Sequence, residues 1–316
     1  MTLRGMCRTA ALVGALLLTA VSAAFALTPG EGYVTIGGGK VWYNVVGSGD
    51  ATPLLLIHGG PGIPSSYMDG MAVLASDRPV IFYDQLGCGH SDPNPDTANW
   101  TIGYYVAELD TLRQKLGLKD VFLYGHSWGS ILAVEYMFTK PSGVRGIILA
   151  GPALSASRWS ADAQALVETL PDSVQKVIAA AEASGNHDTP AYQGAVMAFY
   201  GEYLARKQPW SDGLNAALQT MNPGIYTYIC GPSEFALTGT LKTYDCTDRL
   251  GSITVPTLFV TGEFDEARPA TVEYYKSLIP NAQMAVIKGA GHLEMHDKPE
   301  ENAKVIRAFM HEVEGK

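Results

Sequence analysis

The 316-residue chain is 47% hydrophobic and 17% charged, which excludes a disordered polymer and supplies enough apolar side chains for a sizeable core. Its length allows one large α/β domain or two smaller ones, and no self-similar period marks a solenoid or propeller. A formal net charge of −9 argues against a phosphate-binding surface, so nucleic acid is not an expected partner.

Residues 1–26 follow a different rule from the rest. Arg4 and Arg8 form a positive region, an apolar run over residues 10–21 follows, and Ala24-Phe25-Ala26 ends it as a small-x-small site. The pattern predicts a secretory signal peptide cleaved after Ala26, and hence a periplasmic or secreted protein beginning at Leu27. The run is short against the roughly 20 apolar residues of a membrane span, so no stable membrane anchor is expected.

Beyond the leader, apolar residues alternate over residues 32–36 and 41–46, which reads as two antiparallel strands joined at Gly37-Gly38-Gly39. The pattern then changes to continuous apolar runs at 53–57, 80–83, 121–124, 144–150 and 256–260, with a shorter one at 284–287. Such runs suit strands buried on both faces of a parallel sheet. Helical stretches fall between them at 65–75, 102–116, 130–138, 269–278 and 300–313, so the chain predicts a doubly wound α/β sheet. Residues 154–247 break the alternation. They are rich in Ala, Gln and Tyr at helical spacing, which predicts a helical insertion after the sixth strand, lying as a lid over the carboxyl ends of the strands.

Gly125-His126-Ser127-Trp128-Gly129 satisfies G-x-S-x-G and stands directly after the 121–124 run and before an apolar-periodic helix. That context predicts a strand–turn–helix elbow with Ser127 as nucleophile, and a serine hydroxyl needs a base to take its proton as it attacks. The partners of such a serine follow in the order carboxylate, then histidine. Asp265, after the 256–260 run, and His292, after the 284–287 run, occupy those places, so Asp265 orients and His292 is the base. His126 flanks the nucleophile, its side chain pointing away or lining the pocket; His58, His90, His187, His296 and His311 read as structural or solvated. For the oxyanion, the Trp128 backbone supplies one N–H, and Gly60 in His58-Gly59-Gly60-Pro61-Gly62 supplies the other, since Pro61 has none to give.

Three cysteines follow the leader. An oxidising compartment permits a disulfide between Cys230 and Cys246, the alternative being two buried thiols. Cys88, among glycines and with no evident neighbouring base, reads as a packed thiol.

Taken together, His58-Gly59-Gly60-Pro61-Gly62, Asp84-Gln85-Leu86-Gly87-Cys88-Gly89-His90-Ser91, Gly125-His126-Ser127-Trp128-Gly129-Ser130, Gly231-Pro232-Ser233-Glu234-Phe235, Gly262-Glu263-Phe264-Asp265-Glu266 and Gly291-His292 resemble the proline iminopeptidase family of α/β-hydrolases. The resemblance implies an α/β-hydrolase core in two parts, residues 27–153 and 248–316, with residues 154–247 as a helical cap. It also implies no metal and no cofactor. The implied activity is release of an N-terminal residue, proline or a small apolar one, from short peptides or amino-acid amides through an acyl-enzyme. By the same resemblance Glu234 and Glu266 hold the substrate's α-amino group, which is cationic at neutral pH. The chain departs from the family at His126, at Cys230 and Cys246, and in its leader. The alternatives are a carboxylesterase or lipase of the same fold, which would have no use for Glu234 and Glu266, and a hydrolase-fold binding protein without turnover.

Overall fold

A computed structural model describes residues 27–316; the signal-peptide reading falls on residues 1–26 and lies outside the described residues. Strands β1 (Gly30–Ile36) and β2 (Gly39–Val46) form the hairpin, in which Gly38 turns the chain at φ 118°. Strands β3 (Leu54–Ile57) and β4 (Val80–Tyr83) are buried at every position, as are β5 (Val121–His126) and β7 (Thr257–Gly262). With β6 (Val144–Ala150) and β8 (Ala282–Ile287) they complete one sheet in the order β1-β2-β4-β3-β5-β6-β7-β8. The β1–β2 and β2–β4 pairs are antiparallel and the rest parallel.

Alternation along the strands divides the core. Leu55, Ile57 and Leu123 face one side, where they pack with Leu109 and Leu112 of α1 (Ile102–Lys115) and Ile131 of α2 (Trp128–Phe138). Leu54, Leu56, Phe122 and Tyr124 face the other, against the carboxyl-terminal helix, which contributes Ile306 and Phe309. Residues 65–75, read from the sequence as a helix, wind as a 3-10 segment, Ser65–Ser76, interrupted by non-helical torsions at Met68. Gly70 in that segment lies against the Met295 carbonyl so closely that a Cβ would stand 2.0 Å from its oxygen.

Between β6 and β7 the chain makes α3 (Ala156–Val167), α4 (Asp172–Ser184), α5 (Pro190–Phe199), a π-helical turn (Tyr200–Leu204), α6 (Asp212–Thr220) and α7 (Pro223–Ile229). These helices carry a core of their own, with Leu166, Ile178 and Phe199 at its centre. The insertion is closed at its root, where Ala156 N–H donates to the Tyr244 carbonyl (2.8 Å) and Cys246 N–H to that of Leu154 (3.1 Å). The chain then returns through α8 (Pro269–Leu278), the short α9 (Glu294–Asp297) and α10 (Pro299–Glu314). Among the described residues no helix is long and apolar enough to cross a membrane.

The strand order fixes the position of the site. Succession runs outward from β3 to β4 and then reverses to β5 on the other side of β3. A crevice opens at such a reversal, beyond the carboxyl ends of the strands. Residues 58–62 leave β3 there and the Ser127 elbow leaves β5 beside them.

Candidate active site

Ser127 sits between β5 and α2 at φ 52° and ψ −120°, a strained backbone for a residue with a Cβ. The flanking glycines make the turn possible. A Cβ on Gly125 would stand 2.4 Å from the Gly129 carbonyl oxygen, and one on Gly129 would stand 2.0 Å from that of Ile57. Neither position has room for a side chain, so the spacing of the motif reflects packing of the elbow against β3. The elbow is pinned by Ser127 N–H donating to the Ala150 carbonyl (2.9 Å) and by the Ser130 hydroxyl donating to that of Ser127 (2.6 Å).

Asp265, in the turn after β7, is held by four donors. Its Oδ1 accepts from Ala267 N–H (2.8 Å) and His292 Nδ1 (2.7 Å), and its Oδ2 from Gly262 N–H (3.1 Å) and the Thr261 hydroxyl (3.0 Å). A carboxylate accepting at Nδ1 fixes the proton there and leaves Nε2 without one in the neutral ring. His292 and Ser127 line one cavity. Gly151, at φ 49°, keeps space for the ring: a Cβ there would lie 2.5 Å from His292 Cε1.

Gly60 and Trp128 flank Ser127. Gly60 adopts φ 110°, and a Cβ would meet Ile63 N at 2.7 Å. Trp128 opens α2, so its N–H belongs to the first turn, whose donors have no partner inside the helix. Its indole donates to Gln85 Oε1 (2.9 Å), and Gln85 Nε2 donates to the His58 carbonyl (3.0 Å), tying the elbow to the β3 loop.

Glu234 reaches this site, and Glu266 lies buried close enough to Glu234 and His292 for their charges to act on it. Glu234 lines the cavities on either side of Ser127, its Oε1 accepting from the Tyr226 hydroxyl at 2.5 Å and its main-chain carbonyl from the Trp159 indole at 2.9 Å. Glu266 is 1% exposed, and neither of its carboxylate oxygens has a hydrogen-bond partner in the protein. Burial raises both carboxyl groups, Glu266 well above the usual range, and the neighbouring Glu234 charge raises Glu266 further. His292 feels the opposite balance. Burial alone would lower it, but Asp265, followed by Glu266 and Glu234, pushes the imidazole up to about 10.

Two cavities meet at Ser127. One is walled by Trp128, Ile131, Trp159, Leu241 and Tyr244, the other by Ile63, Leu204, Leu214, Leu218 and Leu293 beside His292. Gly60, Ser127 and Glu234 belong to both. Among the described residues no group of three His, Cys, Asp or Glu side chains is disposed to hold a metal ion.

Comparison with known proteins agrees with this geometry. The family model described as the alpha/beta hydrolase fold matches residues 52–299. The proline iminopeptidase of Heyndrickxia coagulans is 41% identical over 287 residues, covering 90% of this chain and 99% of its own. The chain belongs to the proline iminopeptidase family of α/β-hydrolases. The crystal structure of the proline iminopeptidase of Mycobacterium smegmatis superposes with a TM-score of 0.84 at 32% identity, covering 90% of this chain and 98% of that one. That of VinJ superposes with a TM-score of 0.86 at 34% identity, with the same coverage. The chain is therefore an enzyme of the hydrolase class, acting on a peptide or small molecule.

Within this proline iminopeptidase-family fold, two readings of the sequence need correction. Cys230 and Cys246 are not bridged; the three cysteines among the described residues are free thiols. Cys230, the C-cap residue of α7, lines the first cavity, while the Cys246 thiol donates to the Leu154 carbonyl (3.5 Å) at the root of the insertion. Cys88 does have a neighbouring base, His58 Nε2 at 3.7 Å, brought there by the β3 loop. That nitrogen already accepts from Gln85 N–H at 2.9 Å, and burial, with Asp84 and Glu108 nearby, raises the thiol well above its ordinary range. Cys88 is thus a packed thiol.

The sequence did not single out the residues that hold His292 by its main chain. Its N–H donates to the Tyr203 carbonyl (2.7 Å) in the π-helical turn of the insertion, and Leu293 N–H to that of Leu204 (2.8 Å). Asp297 Oδ2 accepts from Gly291 N–H (2.8 Å) and Arg206 N–H (3.1 Å), joining the same two segments. His126 lines the cavity and is fully engaged: Nδ1 meets the Tyr67 hydroxyl (2.8 Å), Nε2 the His292 carbonyl (2.9 Å), and Tyr67 in turn accepts from Gly59 N–H (2.6 Å). Position 126 follows the motif, but its partners lie 59 and 166 residues away, so no local pattern encodes them.

Proposed function

We propose that the protein is a serine aminopeptidase that removes an N-terminal proline or small apolar residue from short peptides or amino-acid amides. The observation that carries this reading is Glu266, a buried carboxylate with no partner, close enough to Glu234 and His292 for their charges to act on it. A carboxylate in that setting is costly unless a cation joins it. The α-amino group of a peptide supplies such a cation. Relatives named proline iminopeptidase at 41% and 34% identity support the same substrate class.

In this reading the scissile carbonyl lies over Ser127 and His292 Nε2 takes the hydroxyl proton as Oγ attacks. Gly60 N–H and Trp128 N–H hold the developing oxyanion, and His292 then gives the proton to the leaving nitrogen. Water repeats the sequence on the acyl-enzyme. The bound ammonium also neutralises part of the charge that raises His292, so binding of the substrate returns the imidazole toward the range of a base. The apolar walls of the first cavity, Ile131, Trp159 and Leu241, suit a proline ring or a short aliphatic side chain. The leader pattern supports a periplasmic or secreted enzyme, which N-terminal sequencing of the exported chain at Leu27 would test.

The deciding assay sets the arylamides of proline, alanine and leucine beside their N-acetylated forms and a short acyl ester. Faster cleavage of the free-amino arylamides than of their blocked forms, with slower turnover of the ester, is the expected result. Equal rates on free and blocked forms, or turnover of the ester alone, would replace this reading with that of an esterase.

A further inference from the structure

Two cavities meeting at one nucleophile require that one take the acyl part of the substrate and the other the leaving group. The direction of proton transfer decides between them. His292 delivers its proton to the leaving nitrogen, so the leaving group lies on the imidazole's side of Ser127. His292 and His126 line only the cavity walled by Ile63, Leu204, Leu214, Leu218 and Leu293; the other cavity holds Trp128 and Trp159 instead.

Resting on the aminopeptidase reading above, we propose that this leucine-rich cavity is a subsite for the residue after the scissile bond, and that it selects an apolar side chain there. Its substrate class is then a dipeptide or short peptide whose second residue is leucine-like or aromatic, with no carboxylate or ammonium on that side chain.

The chemistry of the wall supports this choice. Ile63, Leu204 and Leu218 are half-buried, with Leu214 and Leu293 packed behind them, and the one carboxylate reaching the cavity is Glu234, assigned to the amino group. An acidic second residue would lose its hydration against this wall, would face Glu234, and would pair with His292 only by holding it as the imidazolium, which cannot serve as the base. A basic one would compete for the carboxylate that orients the substrate.

The wall is also fixed in place. α6, which carries Leu214 and Leu218, is seated on the 3-10 segment with the Ser66 hydroxyl donating to the Gly213 carbonyl (3.0 Å), and a Cβ on Gly213 would stand 2.3 Å from the Ser66 carbonyl oxygen. Ile63 stands in the loop that carries Gly60, and that loop is clasped by Asn222, whose N–H donates to the Gly62 carbonyl (2.8 Å). Leu204 and Leu293 are joined through the main-chain hydrogen bond that also flanks His292. A wall built on the segments that carry the oxyanion loop and the base cannot yield to a poorly fitting group without disturbing catalysis.

The test holds the first residue constant and varies the second: Pro-Leu-NH2, Pro-Phe-NH2, Pro-Gly-NH2, Pro-Asp-NH2 and Pro-Lys-NH2, with prolinamide as a substrate lacking that residue. The expected result is kcat/KM higher by about 10-fold or more for Leu and Phe than for Gly, and lower again for Asp and Lys. In Leu218→Asn the ratio of Pro-Leu-NH2 to Pro-Gly-NH2 should fall toward one. Equal rates across the series in the parent enzyme, or a preference for a charged second residue, would overturn the subsite while leaving the aminopeptidase reading intact. Failure to cleave any free-amino substrate, prolinamide included, would overturn both.

Discussion

His126 Nε2 lies 2.9 Å from the main-chain carbonyl oxygen of His292, and a carbonyl can only accept, so the His126 ring carries its proton on that nitrogen. Burial and then the neighbouring His292 push His126 well below the usual histidine range, so the ring is neutral and Nδ1 accepts the Tyr67 hydroxyl proton. Tyr67 oxygen in turn accepts from Gly59 N–H. One chain of three hydrogen bonds thus runs from the loop bearing Gly60 to the loop bearing the base.

That chain predicts a positioning role for His126. His126→Ala leaves the Tyr67 hydroxyl proton without its acceptor and the His292 carbonyl without the His126 donor, each worth about 1–3 kcal/mol when buried. A small displacement of the base should lower kcat by about 10²-fold with a smaller change in KM. Tyr67→Phe, which keeps the ring, should lower kcat in the same sense, because Gly59 N–H loses its acceptor. A His126→Ala enzyme with parental kcat would show that the chain does not hold the base in place.

Ser127 and His292 act as a unit, so Ser127→Ala and His292→Ala should each remove on the order of 10⁶ of kcat. Fluorophosphonate labelling followed by peptide mapping should find the adduct on Ser127. A modified residue elsewhere would reject the assignment.

Much of this site was legible because its signals are local. The strands of the parallel sheet are short apolar runs, the glycines around Ser127 form a recognisable motif at the end of one of them, and Asp265 and His292 each come soon after a strand. What the sequence hid depends on tertiary contact. Tyr203, Leu204 and Asp297 act on the His292 loop through main-chain groups, and main-chain hydrogen bonding leaves no residue signature. The 3-10 winding of Ser65–Ser76 is hidden for a related reason, since its apolar spacing suits an α-helix and its packing on Met295 is not a local property. The spacing of Cys230 and Cys246 suggested a staple, but the fold points one thiol into the cavity and the other at the Leu154 carbonyl.

Free thiols make a direct prediction about redox chemistry. Alkylation of the denatured, unreduced chain of residues 27–316 should modify Cys88, Cys230 and Cys246 alike, as read by intact mass, and reductant should leave the melting temperature unchanged. A mass showing one modified cysteine would restore the bridge.

The electrostatics of His292 give a prediction in which the sign can be worked through. The ring is raised to about 10 because Asp265, Glu266 and Glu234 outweigh its burial, so in the free enzyme it is held as the imidazolium at neutral pH. The ratio kcat/KM reports the free enzyme and requires a neutral base, so it rises with pH as His292 loses its proton. Glu266→Gln removes one of the negative charges that stabilise the imidazolium, lowers the His292 pKa, and should move this acid limb to lower pH. The same variant loses half of the ammonium anchor, which should cost roughly 30-fold or more in kcat/KM on free-amino substrates near the optimum. The two effects separate on an ester lacking the amine, where only the limb should move. His292, Glu234 and Glu266 interact closely, so the limb belongs to the cluster and Glu234→Gln should shift it in the same direction. A limb unmoved in both variants, measured on the ester, would mean that neither glutamate carries charge beside the imidazole, and the balance that raises His292 would have to come from Asp265 alone.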